Sequence, residues 1–330
     1  MLEKLKQNNF LVIGRAGMDF YPDPPGTRTE DATSFVSHLG GSSANIAVAI
    51  CRHGGAAELV TCVSDDAIGR FAINQLKLYG VGHSHVRFES GPTGNEARNS
   101  LAIVESRTDD HQSVIYRNGA ADFLMNVDDI EAVDFSPADK PYGAMVTTGT
   151  LFAAEPSRTT TFRAMERAKE AGIPIVFDID YRPYSWPSAE VAQEVYEKAG
   201  RLSDIVIGND DEFGFMAGGK DKGLAFAKAL ANSTNGVCVY KMGEKGSVTF
   251  EGGREFARGI YPVTALKPTG AGDAFMGGFL SSLANGYDLE DAVERGSASA
   301  AIVVANVGCA PAMPTTEQLH EFMKNHQMKD

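Results

Sequence analysis

The chain has 330 residues, of which 43% are hydrophobic and 22% charged, and a formal net charge of −13. That length allows a substantial core in one large domain or two smaller ones. The excess of acid argues against a nucleic-acid backbone or an anionic membrane as partner, and no apolar run reaches the roughly 20 residues of a membrane span.

From the N-terminus, residues 10–13 read as a short apolar strand ended by Gly14. Residues 15–39 are polar and rich in Pro, Asp and Thr, which predicts an excursion from the main sheet. Gly40-Gly41 then opens a helix over about 43–53, followed by a strand at 59–63 and a helix at 67–79. Between 96 and 118 the pattern alternates as in antiparallel strands, at 100–104 and 113–116, joined by a charged loop at 105–112. From Tyr142 onward, strands at 144–148, 173–177, 205–207 and 236–240 alternate with helices near 157–171, 190–199 and 223–231. A hairpin at 247–250 and 255–258 turns at Gly252-Gly253, a helix runs from the 270s to Asn285-Gly286, and helices at 289–304 and 316–325 close the chain. The expected fold is α/β, a doubly wound, mostly parallel sheet flanked by helices in a single domain over 1–330. A small β lid built from 15–39 and 96–118 is expected to cover the carboxyl ends of the strands.

Met1-Leu2-Glu3-Lys4-Leu5-Lys6 lacks the apolar core of a signal peptide. Cys51, Cys62, Cys238 and Cys309 are scattered, with no CxxC pair. Free, mostly buried thiols in a reducing cytoplasm are the expectation.

The most informative run is Lys267-Pro268-Thr269-Gly270-Ala271-Gly272-Asp273-Ala274-Phe275. It places small residues and a carboxylate where a loop turns into a helix. Glycines let the backbone approach a phosphate closely, and free N–H groups at a helix start attract an anion. A phosphate repels an aspartate at that mouth unless the aspartate has a proton to collect, which points to Asp273 as a general base. Taken alone, the same letters also describe a glycine turn followed by an aspartate cap.

With Gly40-Gly41-Ser42-Ser43-Ala44-Asn45 and Asp19, this run resembles the signatures of the ribokinase-like (pfkB-type) carbohydrate kinases. The likeness extends from about residue 10 to residue 315. It implies that Gly270, Ala271 and Gly272 bind the transferring phosphoryl group and that Asp273 deprotonates the acceptor hydroxyl. Asp19, Gly41 and Asn45 would meet the sugar. Asn209 and Glu212, in Asn209-Asp210-Asp211-Glu212, would govern Mg2+ through coordinated water. Lys241, Gly243 and Gly246 would lie along the phosphates and ribose of ATP, and Gly296 with residues 300–308, Gly308 included, would wall the adenine. Many relatives carry Asn at the Gly296 position. Lys267 stands where the family usually has an aspartate that helps hold a monovalent cation, so its ammonium, or nothing, is expected to replace that ion.

Further stretches at 14–19, 116–122, 178–186, 296–300 and 312–315 resemble a branch of the family acting on an open-chain keto sugar acid of inositol breakdown. The resemblance implies phosphorylation of the terminal C6 hydroxyl. Such a substrate's carboxylate needs a cation; Arg117 on the lid and Arg182 after a core strand are the expected donors, with Arg15 a third. Alternatives in the family are a 2-keto-3-deoxygluconate kinase and a fructokinase. An alternative of another class is an idle, sugar-binding regulator. Gly14-Arg15-Ala16-Gly17 lacks the GxGxxG of a dinucleotide-binding dehydrogenase. The lid strands also offer a place for two copies to pair as a homodimer.

Overall fold

Strand β1 (Asn9–Ile13) is buried along its whole length, because it lies inside a sheet covered on both faces. The computed structural model describes residues 1–91, 94 and 96–329. Two sheets share the remaining strands: β2 (Gly17–Pro22), β3 (Phe35–Gly40), β4 (Ala56–Ser64), β5 (Gly82–Glu89), β6 (Leu101–Val104), β7 (Ser113–Tyr116), β8 (Ala144–Thr148), β9 (Ile175–Asp178), β10 (Ile205–Asn209), β11 (Val237–Lys241), β12 (Ser247–Glu251) and β13 (Arg254–Arg258). The large sheet has the order β13-β12-β11-β10-β9-β8-β1-β4-β5. It is parallel from β11 to β5, and the β12–β13 hairpin adds antiparallel at one edge. The small sheet has the order β3-β2-β6-β7. The fold is the expected α/β architecture.

Alternation along each strand feeds two cores. Phe10 and Val12 of β1 join one cluster with Val146, Ile207 and Val239. Leu11 and Ile13 join the other with Met145, Phe177 and Val206. The Ser42–Arg52 and Ala271–Ala284 helices belong to the first cluster. Every residue from Ala274 to Ala284 is buried, as expected for a helix covered on all sides. The lone tryptophan, Trp186, packs against Tyr196 with ring centroids 5.4 Å apart.

The sequence reading lacks β5. Gly82-His83-Ser84-His85 carries no apolar alternation, and this edge strand is held by parallel pairing to β4 instead. Among the described residues, no helix is long and apolar enough to cross a membrane. All four cysteines are free, and Cys62, Cys238 and Cys309 are buried.

Small residues set how closely the helices meet. A Cβ on Gly277 would lie 2.2 Å from the Ala49 Cβ, and one on Gly296 would lie 3.0 Å from the Phe275 carbonyl oxygen. Gly277→Val is therefore expected to cost about 1–3 kcal/mol through overpacking, read as a lower midpoint in urea unfolding.

Candidate active site

The Ala271–Ala284 helix begins on Gly270, whose φ of 88° is left-handed. A Cβ there would lie 2.7 Å from the Cys309 Sγ, so only glycine fits. No side chain caps this helix, and its first bond runs from the Ala274 N–H to the Gly270 carbonyl at 3.0 Å. The N–H groups of Ala271, Gly272 and Asp273 are thus left without a protein acceptor among the described residues, at the positive end of the helix dipole. A Cβ on Gly272 would meet only the Lys241 Nζ, at 3.6 Å. That ammonium, at the end of β11, also stands 5.4 Å from the Phe275 ring centroid. Bare N–H groups and an ammonium together make an anion site.

Asp273 sits in the first turn of the same helix. Asn45 Nδ2 donates to its Oδ2 at 3.0 Å. Burial pushes its carboxyl up to about 7, with help from the Asp180 charge and against the Asn45 bond, Arg182 and Arg15. A carboxyl poised there exchanges its proton at neutral pH. Asp19 lies on β2, only 5% exposed, and burial raises it to about 6 against the opposing charge of Arg15. The double glycine answers to crowding within the chain. A Cβ on Gly40 would lie 1.9 Å from Asp19 Oδ1, and one on Gly41, whose φ is 96°, would lie 2.4 Å from the Arg15 carbonyl oxygen.

The three arginines are placed very differently. Arg117 is buried, not displayed on an open surface. Its Nε donates to Asp122 Oδ2 at 2.9 Å, its Nη1 to the Thr150 carbonyl at 2.7 Å, and its guanidinium lies 3.9 Å from the Phe123 ring centroid. Arg182 pairs with Asp180 Oδ1 at 2.6 Å, and Asp180 stays below the usual carboxylate range: burial raises it, but Arg182, Ser42, Arg15 and Arg117 outweigh that. Arg15 is 8% exposed; Nη1 reaches Ser100 Oγ at 3.3 Å and Nε has no partner. It is the least committed of the three. Asp122, the partner of Arg117, is a residue the sequence reading did not assign, although an opposite charge five positions away was the available signal.

Asn209 and Glu212 cap the Asp210–Met216 helix reciprocally. Glu212 Oε2 accepts the Asn209 N–H at 2.7 Å and Asn209 Oδ1 accepts the Glu212 N–H at 2.9 Å. The other Glu212 oxygen accepts the Tyr181 N–H at 3.3 Å. Among the described residues no group of three His, Cys, Asp or Glu side chains could hold a metal ion. This donor set fits an ion carried on phosphates and water and does not fit a protein cage. Behind it, burial raises Asp178 well above the carboxylate range, against the charge of Lys241.

Gly246 has a φ of 79°, and a Cβ there would lie 2.1 Å from the Arg258 carbonyl oxygen; Gly243, at a φ of 57°, has open space beside it. Gly308 packs on β3, where a Cβ would lie 2.8 Å from His38 Cδ2. Next to it, the Cys309 Sγ stands 3.3 Å from the Tyr21 hydroxyl of β2. Lys267 is wholly buried, and its Nζ donates to the carbonyls of Thr269 at 2.6 Å and Val303 at 3.3 Å.

Because Asp273 holds its proton more tightly in the folded chain than at the ordinary 3.8, its contribution to stability is full below that value and is lost as pH rises through about 7. Asp273→Asn removes this dependence. Relative to wild type, the variant should gain about 1–3 kcal/mol between pH 5 and pH 8, measured by thermal unfolding at both pH values.

Residues 7–316 match the pfkB family of carbohydrate kinases. The chain is similar to the 5-dehydro-2-deoxygluconokinase of Photobacterium profundum, 38% identical over 323 residues that cover 96% of this chain and 95% of that protein. It is 34% identical over 330 residues to the 5-dehydro-2-deoxygluconokinase of Clostridium perfringens, covering 98% and 95%. Its structure is similar to the fructokinase of Vibrio cholerae O395 with fructose, ADP and calcium ion bound, at TM-score 0.83 and 26% identity over 96% of this chain and 99% of that one. A double mutant of that fructokinase with fructose, ADP and potassium ion bound gives TM-score 0.81 and 25% identity over 96% and 98%.

Proposed function

The chain belongs to the pfkB family of carbohydrate kinases, and we propose that it transfers the γ-phosphoryl group of ATP to the C6 hydroxyl of 5-dehydro-2-deoxy-D-gluconate, the keto acid of inositol breakdown. It is a phosphotransferase with an alcohol group as acceptor. The observation that carries the mechanism is Asp273, held by Asn45 at 3.0 Å in the first turn of an uncapped helix.

In this reading the acceptor hydroxyl lies against Asp273. The carboxylate takes its proton as the oxygen forms a bond to the γ-phosphorus. The bond from that phosphorus to the bridging oxygen breaks, and ADP carries the leaving electron pair. The N–H groups around Gly270, Ala271 and Gly272 receive the charge that develops on the phosphoryl oxygens. Magnesium, when bound, neutralises phosphate charge, and Asn209 and Glu212 would hold it through water. Lys241, Gly243, Gly246 and Gly308 line the nucleotide's side. Asp19, Gly41, Asn45, Arg117 and Arg182 form the sugar-acid side, with Arg15 as the guanidinium that has donors to spare for a carboxylate.

The similar fructokinase keeps a sugar without a carboxylate in view. Arg15 favours the acid, for its Nε has no partner and no carboxylate of the protein lies within ion-pair distance of it among the described residues. Asp273→Asn should bind ATP yet lose about 100- to 10,000-fold in kcat. Arg15→Met should raise KM for the keto acid while leaving KM for ATP unchanged; both are read by coupled ATP-consumption kinetics across keto acids and hexoses. Equal loss with fructose and keto acid would remove Arg15 from carboxylate recognition.

The small sheet serves as the lid, and its edge strands β3 and β7 expose Phe35, Val36, Val114 and Tyr116. Apolar edges of this kind suit pairing with a second copy. Sedimentation equilibrium should therefore return a dimer, and Val114→Glu a monomer. Unpaired thiols and an ATP requirement fit the cytoplasm.

A further inference from the structure

A potassium ion is bound in one form of the similar fructokinase, and the family resemblance attaches a monovalent cation to an aspartate at the position of Lys267. The residues of this chain do not fit such an ion. The carbonyls of Thr269 and Val303 already receive the Lys267 Nζ, at 2.6 Å and 3.3 Å. They come from two elements, the turn entering Gly270 and the last turn of the Leu289–Val304 helix. The C-terminal carbonyls of a helix carry partial negative charge and attract a cation. A second cation in the same shell would meet the ammonium itself.

Lys267 is 0% exposed, and no carboxylate lies within ion-pair distance of it among the described residues. A buried ammonium without a paired carboxylate is costly to keep in a core. Burial pulls its pKa down, while the nearby Cys309, Asp273 and Asp19 favour the charged form. Its backbone is committed to the same place: the Leu266 and Lys267 N–H groups donate to the Val304 carbonyl at 2.7 Å and 3.2 Å. Val303 also closes on the phosphate turn, since a Cβ on Gly270 would lie 3.2 Å from its Cγ1.

We propose that the Lys267 ammonium is a tethered replacement for a soluble monovalent cation, a positioning residue that fixes the Thr269–Gly270 turn and sets one positive charge behind the anion site. Its effect on turnover rests on the kinase reading, but the replacement itself is a property of the folded chain. Two readouts therefore test it in chlorides of tetramethylammonium, sodium, potassium and ammonium, all at about 0.1 M so that screening is constant.

In thermal unfolding without substrates, wild type should melt at the same temperature in all four salts. Lys267→Ala should melt lower in tetramethylammonium and recover selectively in potassium or ammonium. In ATP-dependent phosphorylation of the keto acid, wild-type kcat should be flat across the salts. The alanine variant should lose about tenfold in kcat with KM little changed and regain it with the same two ions, whereas Lys267→Met should not. Selective stabilisation or activation of wild type by potassium overturns the replacement. So does an alanine variant with full kcat in tetramethylammonium, or one that neither ion rescues. Should the variants fail to fold, the wild-type salt series decides by itself. A wild type that does not phosphorylate the keto acid overturns the choice of acceptor, and the melting series still judges Lys267.

Discussion

The hydrogen bond from Asn45 to Asp273 depends on two helices lying closer than ordinary side chains permit. Gly277 against Ala49 supplies the room, and the Asn45 amide then reaches the aspartate at 3.0 Å. The bond holds the carboxylate at the start of its helix. It also ties the double-glycine segment, with Asp19 and Arg15 crowded against it, to the anion site. Interiors are packed tightly enough for a methyl group at this crossing to be felt at the Asp273 carboxylate.

Charge is concentrated in this region of a chain that is acidic overall. Asp19, Asp178, Asp180, Glu212 and Asp273 share it with Arg15, Arg117, Arg182, Lys241 and Lys267. The cations pull some carboxyls down, as Arg182 does Asp180, while burial pushes others up, as at Asp178. Neighbouring carboxyls with separated affinities for the proton are what acid–base chemistry near neutral pH needs.

Much of the fold was legible in the sequence. The helices Leu289–Val304 and Thr316–Asn325 have the bounds that apolar spacing indicates, because Asp288 and Thr315 cap them. Strand β5 was not, since its order comes from pairing with β4 and not from its own side chains. Within the site, the glycine run announced its turn, for a left-handed Gly270 leaves a mark in the letters. The partners did not: Asn45 and Asp273 are 228 positions apart, and nothing local links them. Arg117 looked like an available guanidinium because its bond to Asp122 requires a buried loop to form first. Lys267 was visible as a departure in the sequence, but only the fold supplies the two carbonyls that receive it.

The contact between Tyr21 and Cys309 has a thermodynamic meaning. Tyr21 shares strand β2 with Asp19, and the Cys309 sulfur borders the Gly270 turn. With Asp19 on the proposed sugar-acid side and the Gly270 turn on the proposed nucleotide side, this contact would join the two. A shift of that contact on binding one ligand would change affinity for the other, and by reciprocity the coupling would be equal in both directions.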